Sequence, residues 1–147
     1  MITKNHECYV SLEVAKLLKE AGFDWPCNHA ICCDSTHYPN LKEGDVLEYN
    51  HLECSELMEG KKPHMLLCPT LDVAQRWFRE DNNIAIDIKS NKQGNYDFMV
   101  HRINMVDYTL PSVLCVSACK FNTYEEALEN GIQNALVPLL NDEKEEA

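Results

Sequence analysis

The stretch that most narrows the possible folds runs from Ile84 to His101. Ile84, Ile86 and Ile88 alternate with Ala85 and Asp87, and Tyr96, Phe98 and Val100 alternate with Asp97, Met99 and His101. Side chains on a strand point to opposite faces in turn, so each run carries one apolar face. Ser90 to Gly94 form a five-residue turn region between them, and the whole reads as a β-hairpin. A hairpin alone is marginal in water, so other elements must cover its apolar face.

Three segments have the period of such a cover. Ser11 to Ala21 reads as a helix: Ser11 caps it, Glu13 suits the positive end of its dipole, and Leu12, Val14, Ala15, Leu17 and Leu18 form a wide stripe. Gly22 supplies a left-handed stop, with Phe23 placed to pack back on Leu18. A second helix begins at the cap Thr70, buries Leu71, Ala74, Trp77 and Phe78, and ends near Asp81, with Asn82-Asn83 as a left-handed exit. The third opens on the capping box Thr123-Tyr124-Glu125-Glu126 and repeats Ala127, Leu128, Gly131, Ile132, Ala135, Leu136 and Leu139 at helical spacing. Pro138 is expected to kink or end it. Val113 to Cys119 reads as a further, more buried strand.

Residues 24–68 are irregular and loop-rich in this reading, with short strands at Ala30–Cys33 and Val46–Tyr49 and a loop from Asn50 to Met65. The expected fold class is α+β: a small, mostly antiparallel sheet of three or more strands with about three helices packed on it. The chain's 147 residues, 45% of them apolar, suit one domain over residues 1–141 followed by an acidic disordered tail at 142–147. No basic-then-apolar leader and no apolar run of about 20 residues occurs, so the expected location is cytoplasmic, away from membranes.

A reducing compartment decides how eight cysteines are read: as buried thiols, metal ligands or a catalytic thiol rather than disulfides. Zinc takes Cys and His in a tetrahedron, and Cys27, His29, Cys32, Cys33 and His37 supply such groups within eleven residues. His51, Cys54, His64 and Cys68 could complete a site. No C-x2-C pair occurs and no second half repeats the first, so small buried hydrophobes and surface histidines stand ahead of a zinc site. The same Cys27–Cys33 segment is the candidate for a thiol-dependent enzyme, through a cysteine activated by His29 or His37. No family signature surrounds any of these cysteines. Cys115 and Cys119 are assigned to the core. No Gly-rich phosphate loop is present.

The net charge of −11 is unevenly spread. Residues 61–105 carry seven basic and five acidic side chains, while both flanking segments are strongly acidic. Such a surface disfavours nucleic acid and anionic membrane. Trp77-Phe78-Arg79 lies in the one basic segment, and its aromatics could stack on bases. They also fall on the helix stripe, and core packing is the stronger reading. Glu53, Glu56 and Glu59 have helical spacing, read as a solvated face.

Three blocks, residues 11–23, residues 69–80 and residues 124–136, resemble in order a group of small uncharacterised proteins of Bacteroides-type bacteria and their phages. Phe78 stands where that group more often has leucine, and residues 27–33 are not a feature of it. The resemblance implies a phage or prophage accessory protein and carries no activity or site residues. The leading expectation is therefore a non-enzymatic protein that binds a protein partner or another copy of itself. A metal or thiol enzyme and an acidic nucleic-acid mimic that blocks a DNA-binding enzyme are the alternatives.

Overall fold

The computed structural model describes residues 8–33, 42–48, 65–118 and 120–146, with the side chains of 48 and 142–146 left out. Helix α1 spans Leu12–Glu20, strand β1 His29–Cys32, β2 Val46–Glu48 and β3 Met65–Leu67. Helix α2 follows at Leu71–Asn82, then β4 at Ile84–Ser90, β5 at Tyr96–Arg102, β6 at Val113–Val116, and helix α3 at Tyr124–Glu146. The protein is α+β, with three helices and two antiparallel three-stranded sheets.

The helix ends form as their residues dictate. Ser11 Oγ accepts from Val14 N at 3.2 Å, Thr70 Oγ1 from Val73 N at 3.3 Å, and Thr123 Oγ1 from Glu126 N at 3.1 Å. At the end of α1, Gly22 adopts φ +92°, and Phe23 N donates to Leu18 O while Gly22 N donates to Lys19 O. This is the Schellman pairing, and only a residue free of a Cβ takes that φ without strain. Asn83 closes α2 at φ 54°.

β1 is the centre of the first sheet, in the order β2-β1-β3. The expected strands at 30–33 and 46–49 are present as β1 and β2, paired Ala30 to Leu47 and Ile31 to Val46. β3 is an additional strand inside the stretch read as loop-rich. The loop expected over Asn50–Met65 lies, apart from Met65 itself, outside the described residues. The second sheet has the order β4-β5-β6, and its hairpin register pairs Ile86 with Val100 and Ile88 with Phe98, as the alternation predicts.

α3 packs against β4 and β5 on one side and against α1 and α2 on others. One core cluster joins Ile31 and Leu66 of the first sheet, Ile86, Phe98 and Val100 of the second, and Leu18, Phe78, Leu128 and Ile132 of the three helices. Glu129 of α3 accepts from Ser11 N at 3.1 Å, tying the start of α1 to α3.

Of the two outcomes expected at Pro138, a kink or an end, the helix does not end there: its backbone stays helical to Glu146. Losing one helical donor costs about 3 kcal/mol, and Leu139 and Leu140 beyond it, both partly buried against the core, offset part of that cost. The strand at 113–119 is shorter and less buried than its apolar run suggests. β6 is the outer strand of its sheet, and Val113 and Val116 at its two ends are exposed.

Candidate functional site

β1 carries much of the cysteine cluster, and strand alternation separates it. Cys32 is fully buried on the face with Ala30 and Met65, whereas Cys27 and Cys33 pack half-buried against the main core. Cys27 Sγ donates to Trp25 O at 3.5 Å. His29 Nε2 lies 3.0 Å from Tyr9 Oη, with the two rings 4.5 Å apart. Among the described residues, no three His, Cys, Asp or Glu side chains are close enough together to hold a metal ion. His37, His51, Cys54, His64 and Cys119 lie outside the described residues.

A thiolate nucleophile needs a lowered pKa. The thiols with a resolved shift move the other way. Burial, and then Glu129, push the Cys68 thiol up to about 12. Partial desolvation followed by Glu125, Asp72 and Glu129 raises that of Cys8.

The other sequence candidates also resolve into structure. Trp77 and Phe78 are buried, and their rings meet edge-on at 5.0 Å in the core, out of reach of a base. Arg76 stands over the Trp25 ring at 5.9 Å and pairs with Glu80 at 3.2 Å. Glu13, Asp72, Glu125 and Glu126 occupy the first turns of α1, α2 and α3, where they offset the helix dipoles. Glu53, Glu56 and Glu59 lie outside the described residues.

The feature that sequence reasoning missed is residues 103–112, the connection between β5 and β6. Two large apolar side chains at its tip stand almost wholly in solvent: Val106 is 92% exposed and Tyr108 87%. Both ends of the loop are tethered. Ile103 N donates to Asn83 O at 2.9 Å, and Asn104 Nδ2 donates to Asn83 Oδ1 at 3.1 Å. Asn83 and Asn104 both adopt positive φ, which asparagine tolerates better than most residues. On the return side, Arg102 Nη1 donates to Pro111 O and Arg102 N to Ser112 O, both at 2.7 Å. Within the tip, Asp107 Oδ1 accepts from Thr109 N at 2.9 Å and from Thr109 Oγ1 at 2.5 Å. These bonds favour the carboxylate and hold the Asp107 carboxyl below the usual range.

Beneath the loop lies an open groove of about 180 Å³, bordered by Ile84, Arg102, Leu110, Leu114 and Leu139. Beside it, the outer face of the second sheet carries exposed apolar side chains next to the paired Asp87 and His101. Val113 pairs with His101 and Cys115 with Val100, so Leu114 is an extra residue in β6. The bulge places Val113 and Val116 on one face with Met99, and all three are exposed. The sequence signal for this surface is the alternation Val106-Asp107-Tyr108-Thr109-Leu110, which has the period of a strand although the loop forms none.

Isolated exposed apolar residues are ordinary, whereas larger exposed apolar surfaces occur where proteins meet partners or ligands. Among the described residues, no helix is long and apolar enough to cross a membrane. Comparison with protein-family models, with curated proteins and with solved structures finds no match for this chain.

Proposed function

We propose that this chain is a non-enzymatic accessory protein that docks a protein partner through the loop at residues 103–112. The observation that carries the reading is the exposure of Val106 and Tyr108 at the tip of a loop whose two ends are hydrogen-bonded in place. Tyrosine supplies large contact area at low entropic cost and is enriched among residues that dominate interface energies. The tethers reduce the ordering cost of binding. A phage or prophage accessory role, implied by the resemblance to proteins of Bacteroides-type bacteria and their phages, is compatible with such a binder.

The test is affinity capture from the cells that encode the protein, using the full chain and its Val106→Ser/Tyr108→Ser variant. The reading predicts at least one protein retained by the wild-type chain and lost from an equally stable variant. The same retained proteins on both would refute it.

A further inference from the structure

We infer that the free edge of β6 pairs antiparallel with β6 of a second copy of this chain. This goes beyond the docking reading, because its apolar contact is the sheet edge rather than Val106 and Tyr108, and the two can fail separately. β6 is the last strand in the order β4-β5-β6, so among the described residues one side of its backbone has no strand partner. Beyond Val116, Ser117 N donates to Phe98 O, and Phe121 exchanges both backbone bonds with Tyr96 at 2.8 Å as an isolated bridge.

The two edges of this sheet differ in chemistry. β4 presents Asp87 and Lys89, both exposed, and charges of this kind are a usual protection against edge-to-edge association. β6 presents Val113 at 47% and Val116 at 55% exposure, and no charged residue occurs between Asp107 and Lys120. Two copies with a net charge of −11 repel over most of their surface, so self-contact is confined to a stretch free of carboxylates.

Charge also selects the partner and its direction. The uncharged stretch is bounded by exposed Asp107 at one end and exposed Lys120 at the other. Antiparallel alignment of two such edges brings Asp107 of each copy towards Lys120 of the other, whereas parallel alignment sets like charges together. The same two-fold arrangement places Val113 and Val116 of one copy beside those of the second on one continuous six-stranded face.

The experiment is sedimentation velocity on the full chain from 1 to 200 µM at low salt. It is accompanied by hydrogen exchange of residues 112–117, and circular dichroism confirms that each variant is folded. Wild-type protein is expected to form a concentration-dependent dimer in which the amides of 112–117 exchange more slowly than in the monomer. Val116→Lys should remain monomeric throughout. Lys120→Glu should weaken the dimer about tenfold, the scale expected for losing two exposed ion pairs. Val106→Ser/Tyr108→Ser should dimerise like wild type. A wild-type monomer at every concentration would overturn the inference, as would a dimer indifferent to Val116→Lys. A dimer lost only in the loop variant would also overturn it, while leaving the loop as a docking surface.

Discussion

Gly131 of α3 faces Ile86 and Phe98 of the second sheet, and replacing it with alanine sets two effects against each other. In the middle of a helix, alanine is favoured over glycine by about 0.8–1.0 kcal/mol. The added Cβ, however, would sit 2.7 Å from Ile86 Cγ2 and 3.4 Å from Cβ and Cγ of Phe98. Carbon atoms pack best at about 3.5–4.0 Å, so Ile86 must retreat by roughly 1 Å. It has little freedom to do so: it is β-branched, its χ1 is stiff, and both it and Phe98 are buried. Overpacking of this kind costs about 1–3 kcal/mol. The steric effect wins, and Gly131→Ala should destabilise the protein by about 1 kcal/mol net. Urea denaturation at 25 °C reads this as a midpoint lower by about 0.5 M, for a slope near 2 kcal/mol/M. Ile86→Ala removes the obstructing methyl, so its own cost should be smaller in the Gly131→Ala background than in wild type, with a coupling above about 0.5 kcal/mol. A midpoint that rises as helix propensity alone dictates would refute the reasoning, and so would two additive substitutions.

Two further predictions concern ionisation. The folded-state pKa of Cys68, about 12, lies above the ordinary value of 9.0, so its contribution to stability is complete below pH 9.0 and is lost as pH rises towards 12. The urea midpoint should therefore fall more steeply above pH 9 in wild type than in Cys68→Ala, and parallel curves would contradict the buried thiol. The Asp107 carboxyl should titrate below the usual carboxylate range by NMR and move back up in Thr109→Val, because Thr109 supplies the hydrogen bonds that favour its charge; an unchanged titration would show that the turn at the loop tip is not formed.

The parts of this fold that were legible in the sequence are those where local chemistry and tertiary packing agree. Ser11, Thr70 and Thr123 have side chains that cap the turn that follows them, and Gly22 and Asn83 take a left-handed stop at small steric cost. The hairpin of β4 and β5 was legible because one apolar face enforces its register. That α3 runs on past Pro138 was not legible, because the proline's local cost is visible in the sequence while the packing of Leu139 and Leu140 is not. β6 was misread for a related reason: an apolar run looks the same in a central strand and at an edge, and only the strand order and the extra Leu114 turn Val113 and Val116 outward. β3, three residues long, is too short for alternation to declare it. The loop was hidden because the alternation Val106-Asp107-Tyr108-Thr109-Leu110 has a strand's period without forming one, and because one tether comes from the distant Asn83. The cysteine segment drew attention through its density of Cys and His, and a strand scatters consecutive side chains to opposite faces.

The loop's role as a docking surface is tested most directly by placing a photo-crosslinking amino acid at position 108 in the full chain, expressed in the cells that encode it. The account predicts a discrete crosslinked protein at this position, lost when Val106→Ser is added and absent when the crosslinker is moved to Lys16 on the exposed side of α1. No crosslink at 108, or the same product from both positions, would contradict it.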